Sequence, residues 1–132
     1  TYPVSTKEKV LTSINGFSGG ARVNLKEGKK IVAVLSMTCE DCYETAVSIG
    51  KLSKQIKLPP VYFLLWGDKS EVEGFLQRAQ TNFPYKLIDP QTLSKIADGF
   101  VPKVFLLNNG KIIHEWNYKT FSSQKLVKAL NN

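Results

Sequence analysis

Cys39 and Cys42 are the only two cysteines in a chain of 132 residues, and Glu40 and Asp41 are all that separates them. Thiols at this spacing can pair with each other and can open a disulfide elsewhere. A thiolate attacks the foreign disulfide, a mixed disulfide forms, and a second thiol within reach releases the partner. Before the pair, Lys30–Ser36 (KIVAVLS) is a β-branched apolar run that predicts a buried strand. After it, to about Gln55, Ala46, Ile49, Leu52 and Ile56 recur at near-helical spacing. The pair therefore falls at a helix N-terminus, where unpaired backbone N–H groups and the helix dipole favour a thiolate. Cys39 is expected to be the exposed attacking thiol and Cys42, one turn on, the resolving thiol.

Two other uses of a cysteine pair fit less well. A structural zinc site usually takes four ligands, often as two such pairs. Here one pair is joined by a single histidine, His114, far along the chain, so no metal is expected. An inert structural disulfide would close only a very short loop, which constrains the unfolded chain least. Thiol–disulfide exchange is the chemistry this pattern suits.

The elements that must position the pair follow from periodicity and turn chemistry. Ser5-Thr6-Lys7-Glu8 has capping-box spacing and predicts a short helix over about Thr6–Ile14. Residues 16–20 read as a loop and Arg22–Leu25 as a short strand. After the strand and helix around the cysteines, Pro59-Pro60 stops the helix and Val61–Trp66 (VYFLLW) predicts a second buried strand. Ser70-Glu71-Val72-Glu73 is another capping-box pattern, with Val72, Phe75, Leu76 and Ala79 on one face. A short strand over Tyr85–Ile88 and a short helix over Gln91–Ala97 follow. Lys103–Leu107 and Lys111–Trp116 are strands joined by Asn108-Asn109-Gly110, a strong hairpin signal. Ser122 caps a last helix that carries Leu126, Val127 and Leu130. Strand–helix alternation followed by a hairpin requires a mixed sheet with helices on both faces, an α/β fold.

Composition sets the outer bounds. At this length the chain is expected to be one domain over 1–132, with 1–20 as an N-terminal extension of it. The 42% apolar and 22% charged residues are globular values. No segment reaches the roughly 20 apolar residues of a membrane span. The net charge is +7, but the lysines are scattered and only two arginines are present, so no nucleic-acid partner is expected. The chain opens on Thr1, which reads as a mature or excised piece. His114 falls in a strand as an exposed or half-buried residue, and Trp66 ends a buried strand as a packing residue.

Over about residues 20–130 the chain resembles the thioredoxin superfamily. The likeness is carried by KIVAVLSMTCEDC, by Val101-Pro102 at the start of the next-to-last strand, and by the NNGKIIHEW hairpin. The extra helix and strand at about 70–88 resemble the insertion of extracytoplasmic members of the TlpA/ResA type. Those are membrane-tethered thiol reductases that serve cytochrome c maturation. The segment through the cysteines is also similar to soluble thioredoxin-like portions attached to DoxX-type membrane proteins. The resemblance implies a thioredoxin-like fold and a redox-active Cys39–Cys42 disulfide with no metal or organic cofactor. It implies a protein disulfide substrate, a membrane-borne electron donor, a membrane tether or fusion outside this chain, and an extracytoplasmic, periplasmic location. It also implies that Pro102 follows a cis peptide and that the Val101 backbone pairs with an extended substrate segment. The chain departs from the superfamily pattern at Thr38, where tryptophan is usual, at Ala33 in place of a buried aspartate, and at Lys103 in place of threonine. The buried glutamate three residues past the second cysteine is Thr45 here, so Glu44 takes that role by a small shift or the role is unfilled.

The acidic pair between the thiols bears on direction. Negative charge from Glu40 and Asp41 suits a helix N-terminus and raises a nearby thiol's pKa. A destabilised thiolate makes the disulfide harder to reduce, so a disulfide reductase is expected, with Glu40, Asp41 and Glu44 as tuning residues. Lys103 would pull the other way if it faced the thiols. The rival expectation is a binding module that uses the groove beside Pro102 without turnover. An accessible or a buried Cys39 separates the two.

Overall fold

The computed structural model describes residues 2–20 and 22–132. Its centre is β1 (Lys29–Ser36), buried from Ile31 to Leu35 on both sides. Such a strand must have neighbours on both edges and layers on both faces. β2 (Val61–Trp66) runs parallel to it on one edge, with Ile31 opposite Val61 and Ser36 opposite Trp66. β4 (Lys103–Asn108) runs antiparallel on the other edge, with Val34 opposite Lys103. β3 (Tyr85–Leu87) and β5 (Lys111–Asn117) complete the order β3-β2-β1-β4-β5. The β4–β5 turn has Asn109 at φ 51 and Gly110 at φ 80, the left-handed pair that a two-residue hairpin requires.

Side chains alternate across the sheet, and each face has its own core. On one face Ile31, Ala33, Leu35, Phe63, Leu65, Val104 and Leu106 pack with α2 (Glu40–Gln55), α3 (Val72–Ala79) and α5 (Ser123–Leu130). On the other, Val32, Val34, Leu64, Phe105 and Leu107 pack with Leu11 of α1 (Val4–Ser13) and Ile96 and Ala97 of α4 (Pro90–Ala97). The architecture is the expected α/β one: a mixed five-stranded sheet between two helical layers.

Three local expectations are corrected. The first helix is capped by Pro3 and not by Ser5, which lies inside it; the Pro3 carbonyl accepts from the N–H groups of Thr6 and Lys7. Residues 22–25 form no strand. Leu25 reaches the second core from a turn whose geometry is set by Asn24, which accepts from the Lys26 N–H at 3.0 Å. The second capping box lies two residues early: Asp68 accepts from Ser70 N–H, and its own N–H donates to the Glu71 carboxylate at 3.2 Å. A 3-10 turn over Lys69–Glu71 then leads into α3.

Candidate active site

The C-terminal end of β1 makes the site. One residue past the strand, Met37 N–H still donates to the Trp66 carbonyl at 3.1 Å. The chain then turns, with Cys39 N–H donating to Ser36 O at 3.3 Å. The turn leaves Cys39 in extended backbone (φ −99, ψ 123) as the N-cap of α2. Its Sγ accepts from the Cys42 N–H at 3.3 Å, the role a serine or aspartate oxygen usually takes at this position. A sulfur in that role receives the positive end of the helix. Cys39 is half-buried, whereas Cys42 is fully buried.

Cys42 turns back beneath β1, where its Sγ accepts from Ser36 N–H at 3.3 Å. Burial pushes its thiol above the ordinary value, and the hydrogen bond with Cys39 and the charges of Cys39 and Asp41 add to the rise. The Ser36 N–H opposes it. Cys42 therefore keeps its proton at neutral pH while Cys39 faces the surface.

The antiparallel β1–β4 ladder ends with Val34 opposite Lys103, so Pro102 and Val101 join it at the C-terminal end of β1, the end from which the chain turns into Cys39. Val101 and Cys39 both pack against the core cluster that contains Cys42. The Val101–Pro102 peptide bond is cis.

The three acidic residues part company. Asp41 acts on Cys42 through its charge. Glu40 accepts from Arg78 Nη2 at 3.3 Å, and the same guanidinium lies 3.7 Å over the Tyr43 ring. Glu44 is exposed and lines a groove of about 1040 Å³ between α2 and α5, together with Asp41, Leu52, Tyr118 and Phe121. The position inside the helix belongs to Thr45, whose hydroxyl donates to Asp41 O at 2.9 Å. Glu44 is thus not a buried proton acceptor. Lys103 does not face the thiols either. Strand alternation turns it to the opposite face, where its ammonium meets Glu115 at 2.7 Å. His114 is exposed and stacks on Trp116. Among the described residues, no group of three or more histidine, cysteine or carboxylate side chains gathers as metal ligands would.

Sequence reasoning missed Arg78 and Phe100. Arg78 arrives from α3 and only the fold brings it to α2. Phe100 is 69% exposed in the segment leading into Val101, and Trp66 is exposed beside Ser36. The signal for Phe100 was present: a large apolar residue between Gly99 and Val101-Pro102, outside any periodic element.

The chain matches no family model and no curated protein sequence. Its fold matches many solved structures. A secreted Mycobacterium tuberculosis disulfide oxidoreductase homologous to Escherichia coli DsbE superposes with a TM-score of 0.75 at 14% identity, over 93% of this chain and 97% of that one. StoA from Bacillus subtilis gives 0.71 at 18% identity, over 86% and 92%. The thioredoxin domain of a Bacteroides vulgatus thiol-disulfide oxidoreductase gives 0.69 at 12% identity, over 89% of each. The fold of this chain is thioredoxin-like.

Proposed function

We propose that this chain is a thiol–disulfide oxidoreductase that works as a reductase of protein disulfides. The observation that carries the reading is the asymmetry of the pair: Cys39 reaches the surface as the helix cap, and Cys42 lies buried behind it with its proton held. Cys39 thiolate attacks one sulfur of the substrate disulfide, and the other substrate sulfur leaves as a thiolate that takes up a proton. Cys42 then gives up its proton and attacks Cys39 Sγ. The Cys39–Cys42 disulfide forms and the second substrate thiol departs. Two electrons pass to the substrate, and a separate dithiol donor must return them. Val101 and Pro102 hold the substrate backbone beside Cys39. No metal or organic group takes part in these steps.

The direction rests on the surroundings of the thiols. Asp41 disfavours a Cys42 thiolate, and Lys103 is turned away. Beyond the helix end that Cys39 caps, Lys103 gives a thiolate no support, and a disulfide whose reduced form is so little stabilised is hard to reduce, nearer thioredoxin at about −270 mV than DsbA at about −120 mV. An extracytoplasmic location fits the fold neighbours, one of which is a secreted protein. Among the described residues no helix is long and apolar enough to cross a membrane. The non-catalytic alternative needs a shielded first thiol, and Cys39 is half-exposed.

The test is insulin reduction driven by dithiothreitol, run for the wild-type chain and for Cys39→Ser, with the dithiol potential measured against glutathione. Turnover that vanishes in Cys39→Ser, with a potential well below −200 mV, is the expected result. A potential above about −150 mV would overturn the reductase assignment, and turnover that survives in Cys39→Ser would overturn the mechanism.

A further inference from the structure

On the face of the sheet opposite the dithiol, four charged side chains meet behind the Val101–Pro102 segment. Lys7 of α1 donates to Asp98 Oδ2 at 2.6 Å and to both Glu115 oxygens at 3.1 and 3.2 Å. Lys103 donates to Glu115 Oε2 at 2.7 Å and lies 3.8 Å from Asp98 Oδ2. The Lys7 side chain is 5% exposed and that of Lys103 11%. Charge balances within the cluster, two ammonium groups against two carboxylates.

Stability alone gives weak reason for such a cluster, because apolar residues of similar volume hold a fold as well as a buried ion network does. What the cluster fixes is geometry. Asp98 closes α4 and Lys103 opens β4. Both ends of the segment 98–103 are thus tied to Lys7, to Glu115 or to both, and to each other. Between those ends lie exposed Phe100, half-buried Val101 and buried Pro102. The remaining anchor comes from α1, which also sends Leu11 into the core beneath α4.

We propose that Lys7 and Glu115 are positioning residues: an ionic clamp that holds the 98–103 segment in the shape that presents the Val101 backbone and Phe100 to a polypeptide carrying a disulfide. The inference rests on the reading of Val101 and Pro102 as substrate contacts. A small disulfide needs only the sulfur of Cys39, whereas an extended polypeptide must also align along the segment. The clamp therefore sets a preference for polypeptide disulfides over small ones, and α1 belongs to the substrate-recognition apparatus although it touches no substrate.

The test compares Lys7→Met and Glu115→Gln with Lys7→Arg and wild type, each below its own unfolding transition. Three quantities are read: kcat and KM for insulin reduction, the rate of the reduced dithiol with a small aromatic disulfide, and the dithiol potential against glutathione. Loosening the segment is expected to cost about tenfold in kcat/KM on insulin, mostly through KM. The small-disulfide rate stays within about twofold and the potential stays put, because the cluster lies across the sheet from the sulfurs. Lys7→Arg, which keeps the charge, recovers most of the insulin activity. If Lys7→Met does not fold, Glu115→Gln carries the same comparison, since glutamine keeps an acceptor for the lysines. Equal losses on insulin and on the small disulfide, or no loss on insulin, would overturn the clamp. A wild-type chain that reduces no insulin would remove the proposed function itself, which is a different result.

Discussion

Cys42 is where a single residue decides most. Its thiol sits under β1 with no exposed surface, and burial, first among the causes, lifts its pKa above the ordinary 9.0. A thiol that holds its proton more tightly in the folded chain than in the unfolded one contributes fully below the unfolded value. The contribution is lost as pH rises from there towards the folded value. The reduced protein is therefore expected to lose stability from about pH 9 upward, at a slope approaching about 1.4 kcal/mol per pH unit. Cys42→Ala lacks the group and escapes this loss. Urea unfolding of both reduced proteins at several pH values between about 8 and 10 checks the claim, since wild type must fall faster than the variant. Parallel declines would mean that Cys42 is solvated in the folded chain. The same residue shows what sequence reasoning reaches. The order of roles, Cys39 outward and Cys42 inward, follows from one strand, one helix start and a spacing of three. The partners of Lys7 do not follow, because Asp98 lies 91 positions away and Glu115 108 positions away. A lysine in a capping-box pattern carries no mark of being buried.

Elements formed from local periodicity were the legible ones: β1, α2, β2, the β4–β5 hairpin and α5 stand close to where their apolar spacing and turn residues put them. The expected strand at 22–25 failed because a short apolar stretch does not say whether a neighbour is free to pair with it. The sheet edges belong to β3 and β5, and Leu25 is buried from a turn instead. Gly50 is a case where local cost and tertiary need oppose each other. Inside α2 it weakens the helix by about 1 kcal/mol relative to alanine. A Cβ there would lie 2.7 Å from Thr81 Cγ2, just past the end of α3. The glycine lets α2 and the end of α3 approach, and that approach brings Arg78 over Tyr43 and onto Glu40. Gly50→Ala is therefore expected to destabilise by about 1–2 kcal/mol, the overpacking cost exceeding the gain in helix propensity. Adding Thr81→Ala, which removes the clashing methyl and a buried hydroxyl that has no partner among the described residues, should turn the glycine replacement neutral or favourable. Thermal unfolding of the two single variants and the double variant measures the coupling, and additive effects would show that the contact does not limit the packing.

At the scale of the molecule, the sheet separates two layers. One face carries the thiols and the core of α2, α3 and α5; the other carries the ion cluster and the core of α1 and α4. The chain has a net charge of +7, yet Arg78 pairs with Glu40, and Lys103 pairs with Glu115 on the face away from the thiols. The proposed reductase direction has a consequence for global stability. In a strong oxidant such as DsbA the reduced form is the stabilised one. Here Lys103 is turned away and no basic side chain is among the groups that act on Cys42, so under the proposed direction the oxidised chain should unfold at the higher temperature. Leu11→Ala probes the other face. It should cost about 2–5 kcal/mol, because Leu11 is fully buried under α4. The cost should be the same in both redox states to within about 0.5 kcal/mol, since Leu11 and the dithiol lie in separate cores on opposite faces of the sheet. Denaturant unfolding of wild type and Leu11→Ala, each oxidised and reduced, gives both quantities from four curves. A reduced form more stable than the oxidised one would reverse the assigned direction. A Leu11→Ala cost that changes with redox state would show that the thiols and the α1 layer are coupled through β1.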